Sequence, residues 1–535
     1  MKWGRMRGEI AESGAPDTPR WRWLDRSLLA LLALYGVFVL VMLLAVPHLF
    51  LPAEDAVILY QYSQNLAHHG AITYYAGGPH AEGATDFAWM VLIAGAVRLG
   101  ADPFVFVAIV NFLSLPLLAL ALLRLGRVRI TPLRVLAVAG AAGLLPQILA
   151  AGAGFSVLPN ALLLVLLVLA VERQWVVAAS LLGLVLCLFR PDGVVFAVPL
   201  LGSLLPGRWK RAGVIAGLFV LPGLMYFAWR AHYFGELFPL PFLVKSDTHR
   251  ALGLVVARSF LQSTKYLLFD AVLLLPVLLR RPFTPRLRRL LVAVVLLPTL
   301  FFWAMRLDQN VGDRFFFYLP LASALVIALC WTELDTARRR MVLYAGVVAW
   351  LLFLRLPFSR EIRTFRDYQF QDVQGIAQDL KQLPARGSLL TTEAGLLTYG
   401  SGWVAYDAWG LNTAKFAKHP IQAEDIAALG PDLIAFHPDP DDSCVLKPSW
   451  PASSSTRSWK QMTHNMVRGA EGYELWLLSY GSPFYRQRQH WGYGEGDREC
   501  FLVRSGSPLR GGIVASLDKH HAVGPPRSIM IENNR

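Results

Sequence analysis

The sequence predicts a polytopic α-helical membrane protein, with about eleven spanning helices followed by an α/β domain outside the cytoplasm. Three observations carry this. Apolar runs approaching the ~20 residues that cross ~30 Å of hydrocarbon recur along most of the chain. Lys and Arg gather in alternate loops between those runs. After about Pro357 the chain turns polar and is punctuated by Gly, Pro and Ser. Composition agrees: 55% of residues are hydrophobic and 16% charged, against roughly 25% charged in soluble domains. The net charge of +14 is spread over short loops, not gathered in one patch with interleaved aromatics. It is therefore read as the bias of cytoplasmic loops, and nucleic acid is not expected as a partner.

Residues 1–26 carry Lys2, Arg5, Arg7, Arg20, Arg22 and Arg26 and are placed in the cytoplasm. The first span, 27–50, then exits on the far side. Its length, and the many similar runs behind it, argue against a cleaved signal peptide. The loop 51–103 follows, holding Glu54, Asp55 and Glu82 and no Lys or Arg before residue 86. Within it, 87–97 is too short to span and is read as a helix lying at the external surface. Charge supports this, because a span there would put Arg124, Arg127, Arg129 and Arg134 outside. Spans follow at 104–124, 135–151, 157–171, 175–190, 193–205, 212–232, 265–280, 289–305, 315–333 and 341–357, ending the membrane domain 27–357. Odd parity puts the remainder outside.

Residues 358–504 read as the α/β domain. An amphipathic helix over 363–383 precedes strand-length apolar runs at 388–391, 403–406, 433–436, 473–478 and 500–503, with a helical stretch at 423–429. Residues 505–535, rich in Gly, Pro and basic residues, read as a flexible tail. Cys187 and Cys330 lie inside apolar runs, as small hydrophobes. Cys444 and Cys500 lie in the outer domain, where an oxidising compartment permits a disulfide. No cysteine spacing matches a zinc site, and no internal repeat is found.

Four segments on the external side hold unusual polar residues. Glu54 and Asp55 follow the first span directly. Two carboxylates at a low-dielectric edge suit a general base for an acceptor hydroxyl; the plain alternative is a pair of helix N-terminal charges. The same loop carries Tyr60, Tyr62, His68, His69, Glu82 and Thr85. The two histidines can meet a phosphate or a metal, but a His pair in a loop is more often plain polar surface, and no metal is assigned. Lys245, after Tyr233-Phe234-Gly235, can face a lipid phosphate or simply anchor a helix end. Arg314, in Gly312-Asp313-Arg314, can clamp phosphate oxygens bidentately or pair with Asp313. Arg190, in Arg190-Pro191-Asp192-Gly193, is a functional corner or a tight turn. Their common side is the stronger signal, because charges gathered at a membrane boundary are costly unless used.

In order and spacing these runs resemble the polytopic glycosyltransferases of the GT-C fold, and among them the bacterial terminal arabinofuranosyltransferase-like branch. The resemblance rests on Glu54-Asp55, Tyr60, Tyr62, Asn65-Leu66, Gly70 and Glu82-Gly83-Ala84-Thr85-Asp86-Phe87-Ala88-Trp89. The segments at 190–193, 233–245 and 312–320, and Asp407-Ala408-Trp409-Gly410-Leu411-Asn412, support it up to about Asp439. The chain departs from that pattern at Glu54, where the branch has Asp, at Gln61, where it often has Arg, and at Gly154-Phe155-Ser156-Val157, where it has Gly-x-Glu-Thr.

The resemblance implies an inverting transfer of a sugar, arabinofuranose or another such as mannose, from a polyprenyl monophosphate at the periplasmic face of a bacterial inner membrane. It implies Asp55 as base, Glu54 as its assistant, Lys245, Arg314 and Arg190 on the donor phosphate, and Tyr60, Tyr62, His68, His69, Glu82, Thr85 and Asp313 around the substrate. The acceptor is a glycan, a lipid-linked glycan or a protein such as a pilin, and membrane lipids surround the site. No cofactor is expected beyond a divalent cation, which some members of the fold take and which the sequence leaves open. A transporter or flippase is the competing reading. It calls for ionisable groups near the bilayer midplane and often for paired repeats, whereas the charges here sit at span ends.

Overall fold

The computed structural model describes residues 52–143, 147–206, 209–246, 252–278, 284–305, 307, 310–330, 371–438, 444–450, 457–479 and 498–528, with residues 30 and 37. Apart from residues 30 and 37, the expected spans at 27–50 and 341–357 lie outside these residues.

The described chain starts in α1 (Glu54–His69), with Glu54 and Asp55 in its first turn, where acids favour the helix dipole. It stops at Gly70, whose φ of 67° suits glycine and whose N–H caps Leu66 O. α2 (Phe87–Arg98) packs on α1. Its 12 residues extend only ~18 Å, short of a membrane's width. α3 (Pro103–Leu125) begins with Asp102 accepting from the N–H groups of Phe104 and Val105, and with Pro103 in its first turn.

The expected span at 135–151 is divided between α4 (Pro132–Gly143) and α5 (Ile148–Gly152). Next come α6 (Val157–Glu172), α7 (Val176–Phe189), α8 (Val194–Gly202), α9 (Trp209–Phe234), α10 (Leu240–Ser246) and α11 (Leu252–Leu278), the last longer than the 265–280 expected. α12 (Pro285–Ala304) and α13 (Tyr318–Leu329) complete this part. In α9 and α12 a π-turn, Ala216–Val220 and Val292–Leu296, sits just before Pro222 and Pro298. Proline lacks the N–H for the i−4 carbonyl and collides with it, and a wider turn relieves both.

Four helices, Pro103–Leu125, Trp209–Phe234, Pro285–Ala304 and Val311–Leu329, are long and apolar enough to cross a membrane; α2, α4, α6, α7 and the stretch through α8 are apolar and shorter. Tyr60, Trp89, Leu164, Phe196 and Tyr318 lie in their common core.

The C-terminal part, the outer domain of the sequence expectation, is a three-layer α/β unit. After α14 (Gln371–Lys381) come β1 (Ser388–Thr391), α15 (Leu396–Ser401), β2 (Val404–Asp407), α16 (Ala414–Lys418), α17 (Ala423–Leu429), β3 (Leu433–Phe436), α18 (Trp459–Gly469), β4 (Tyr473–Ser479), β5 (Arg498–Arg504) and α19 (Arg510–Lys519). The sheet order is β2-β1-β3-β5-β4. β1 is parallel to β2 and β3, and β5 is antiparallel to β3 and β4.

Alternation along each strand feeds two cores. Leu389, Leu433, Ala435 and Phe501 meet Ile376, Leu380 and Ile513 on one side. Leu390, Ile434, Phe436 and Leu502 meet Ile426, Met462 and Met466 on the other. A disulfide joins Cys444 to Cys500 of β5. The flexible tail expected at 505–535 is corrected through Ser528. Leu509, Ile513, Leu517 and Ala522 are buried against the sheet, and Ser528 donates to Leu475 O at 2.8 Å. Its Gly and Pro content hid a short helix whose apolar residues recur at i, i+4 and i+8.

Candidate active site

Asp55 in the first turn of α1 meets Arg314, whose Nη2 lies 2.8 Å from Asp55 Oδ2. The two are 259 residues apart. Gly312 and Asp313 bring them together. Both have left-handed backbones, φ 58° and 50°, which reverses the chain and sends consecutive side chains to different partners. Asp313 turns to Lys265 Nζ at 2.5 Å and Tyr266 Oη at 2.6 Å. Arg314 turns to Asp55. The adjacent Asp313–Arg314 pair that the sequence allows as an alternative is thus replaced by two separate contacts.

Arg314 is held flat. Its guanidinium lies 3.8 Å from the Phe155 ring centroid and 5.1 Å from that of Phe315. Such stacking is favourable where water is excluded. Its side chain is 8% exposed, while that of Asp55 is 28% exposed. Among the described residues, Nε and Nη1 of Arg314 are buried without a hydrogen-bond partner. A guanidinium carries five donors in a planar fork, and these two nitrogens bear three of them, which remain to meet an acceptor.

Arg190 stands beside this pair, 5.2 Å from the Phe315 ring on its other contact. It forks onto Asp192, with Nε to Oδ1 at 3.0 Å and Nη2 to Oδ2 at 2.7 Å. Asp86, which ends the loop before α2, accepts from Ser156 Oγ at 3.4 Å. Burial raises its carboxyl above the ordinary range, against the pull of Arg190 and Arg314. Asp86 was not singled out as a site residue, although it lies inside the quoted run. Its neighbour Thr85 donates to it at 3.4 Å.

The other expected residues take different places. Glu54 points away from Asp55's partner. It accepts from Gly395 N–H at 2.5 Å and Leu396 N–H at 3.0 Å, at the start of α15. Burial, and then the charge of Glu393, push its carboxyl up to about 8. Through these two backbone contacts Glu54 seats the outer domain on α1. Gly395 is obligatory there, because a Cβ would lie 2.3 Å from Glu54 O.

Glu82 is locked into a buried ion pair with Arg230. Tyr60 donates to Gly154 O at 3.1 Å, and Tyr62 to Asn412 Oδ1 at 3.2 Å while receiving Gly83 N–H. Both phenols are fully buried, so they hold loops. His68 and His69 are exposed in the last turn of α1. Fourteen residues of helix set them ~20 Å from Asp55, which removes them from this site. Lys245 is exposed at the end of α10, whose Leu240 and Val244 pack on Ala81 and Ala417. The start of α10 is tied to the first loop, Leu240 N–H donating to Glu82 O at 3.2 Å. Arg230 had no local signal, lying 148 residues from its partner.

Residues 360–490 match a family model described as a domain of unknown function (DUF8728). No curated protein matches the sequence. Among solved structures, ArnT from Cupriavidus metallidurans, bound to undecaprenyl phosphate, is similar with a TM-score of 0.51 and 13% identity, over 80% of this chain and 96% of its own. The archaeal oligosaccharyltransferase AglB from Archaeoglobus fulgidus, in complex with an inhibitory peptide and a dolichol-phosphate, has a TM-score of 0.43 and 11% identity, over 94% of this chain and 76% of its own. The likeness to ArnT establishes the GT-C fold for this chain.

Proposed function

We propose that this protein is a GT-C glycosyltransferase that moves a sugar from a polyprenyl monophosphate to an acceptor hydroxyl, on the periplasmic side of a bacterial inner membrane. The observation that carries the reading is the Asp55–Arg314 contact, in which a partly exposed carboxylate faces a buried guanidinium with the N–H groups of two nitrogens to spare. Undecaprenyl phosphate is what ArnT holds, and a phosphate monoester is the anion such a fork fits.

In the proposed reaction Asp55 takes the proton of the acceptor hydroxyl. The freed oxygen attacks the anomeric carbon from the face opposite the phosphate. The bond from that carbon to the phosphate oxygen breaks, and its electron pair leaves with the polyprenyl phosphate, inverting the centre. Arg314 stabilises the charge that develops on the leaving oxygen, with Arg190 and Lys245 adding to the local positive potential. The sugar is arabinofuranose or another such as mannose. The acceptor is a glycan, a lipid-linked glycan or a protein.

The test is transfer from a panel of labelled polyprenyl-phosphate sugars by protein in proteoliposomes, wild type beside Asp55→Asn. Wild-type transfer that falls by about 10²–10⁴-fold in a folded variant supports a general base at Asp55. Equal transfer by both removes Asp55 from the chemistry. Flip of the labelled lipid across the vesicle without transfer replaces the enzyme reading with a transporter.

A further inference from the structure

The open end of the outer sheet brings together three residues that no reading of the membrane boundary uses. β1 pairs with β3 in parallel with Thr391 beside Ala435, and β3 pairs with β5 with Phe436 opposite Cys500. Continuing both registers by one or two residues sets Glu393, His437 and Glu499 in one row across three neighbouring strands. Their ligand atoms all lie within 4.8 Å of one another, and His437 Nδ1 is 2.5 Å from Glu393 Oε1. The place is also marked by topology. β1 leads to β2 on one side, and the chain then returns to β3 on the other. In open α/β sheets the crevice at the carboxyl ends of two such strands is where ligands bind.

We propose that Glu393, His437 and Glu499 bind a divalent transition-metal ion. Glu393 and Glu499 are 3% and 1% exposed. Two carboxylates this deeply withdrawn from water need positive charge beside them. Among the described residues Glu393 forms its ion pair with His437 and with no Lys or Arg. A dication placed where the three ligand atoms converge meets both carboxylates and the imidazole at once. Two carboxylates with one imidazole suit zinc or manganese better than calcium or magnesium, which favour oxygen alone. Two ligands each ~2.1 Å from one ion are at most ~4.2 Å apart, so side-chain shifts of about half an ångström close the set.

The imidazole is already oriented. Trp459 stacks on it at 4.6 Å and donates its indole N–H to His437 O at 3.2 Å. Glu499 is steadied by the disulfide at the adjacent Cys500. The His437 side chain is 29% exposed, which leaves one side of the ion open to water or to an anionic group of a ligand. Gly395, two residues from Glu393, holds Glu54, so the ion also stiffens the contact that seats the outer domain on α1.

The experiment uses the full-length protein, stripped with chelator and titrated calorimetrically with Zn²⁺ alone, then with Mn²⁺, Mg²⁺ and Ca²⁺, while thermal unfolding is followed in parallel. One saturable equivalent of Zn²⁺ that raises the melting temperature is expected. His437→Ala and Glu393→Gln, each folded by circular dichroism, should weaken it at least about 100-fold, beyond what loss of an outer-shell partner costs. Glu499→Gln serves where either variant fails to fold. Absence of saturable Zn²⁺ binding in the wild type overturns the proposal, as does wild-type affinity in the variants. Preference for Mg²⁺ or Ca²⁺ overturns the choice of a transition metal. None of these results depends on whether Asp55 transfers a sugar.

Discussion

Two Arg–carboxylate pairs tie the segment from Glu54 to Glu82 to later helices, and they differ in how much water reaches them. In Arg230–Glu82 the side chains are 2% and 7% exposed; in Arg314–Asp55 they are 8% and 28% exposed. The first pair is closed. Arg230 also donates to Leu237 O at 2.6 Å, and Glu82 O receives Leu240 N–H, so the pair fixes the entry to α10. The second pair keeps unspent donors on one side and an exposed carboxylate on the other. The same two chemical groups thus make a clamp where water is shut out and, where the carboxylate can be reached, the contact proposed to carry the chemistry. Burial, not residue type, separates them.

Breaking each pair should separate them experimentally. Glu82→Ala strands a buried guanidinium and is expected to cost about 3–5 kcal/mol, seen as loss of folded protein or a sharply lowered melting temperature. A near-wild-type melt would show that Arg230 is not held as described. Arg314→Lys keeps the charge but removes the fork, and transfer should fall about 10²-fold, or ~2.7 kcal/mol, with little change in melting. If Arg314→Lys instead melted early with full transfer per folded molecule, the two pairs would be alike.

Smaller effects test the seating of the outer domain beside Asp55. Gly395→Ala drives a Cβ onto Glu54's carbonyl and should cost about 1–3 kcal/mol by overpacking, with faster proteolysis between the two parts. Tyr62→Phe removes the hydroxyl shared by Gly83 and Asn412 and should cost about 0.5–1.5 kcal/mol in unfolding assays.

Asp432, inside the outer domain, gives the smallest effect and a control that touches neither pair. Burial works to raise its carboxyl, but hydrogen bonds from Ser507, Ser388 and Arg504 outweigh it and hold the carboxyl below its ordinary value. Its stabilisation is therefore complete above an unfolded value near ~4 and is lost as pH falls through the lower folded value. Asp432→Asn should flatten that acid limb of a stability–pH curve and leave transfer at neutral pH unchanged.

Legibility in the sequence followed the range of each interaction. The strand-length runs at 388–391 and 433–436 coincide with β1 and β3, because alternation and flanking turns are written locally. The stretch at 423–429 is α17, closed by a reciprocal Gln422–Asp425 cap and by Gly430 at φ 50°. The short helix at 87–97 is likewise α2 within a residue. Asp55 and Arg314 were singled out one by one, from unusual charge beside apolar runs. Their contact was not legible, since it depends on two left-handed residues, of which Asp313 has no glycine to announce it. Nor was the partner of Glu54 legible: beside Asp55 in sequence, it accepts from Gly395 N–H, 341 residues away. Glu393, His437 and Glu499 gave no signal, because their nearness is a matter of strand register.

What the sequence alone determined is which segments are apolar, how long they are, and which loops between them gather charge, since transfer from water to hydrocarbon is a property of each segment by itself. What only the tertiary structure decided is which carboxylate keeps water and which loses it, and which donors are left over. That outcome depends on the packing of residues tens to hundreds of positions apart, where a turn of one residue redirects a charge from Asp55 to another partner.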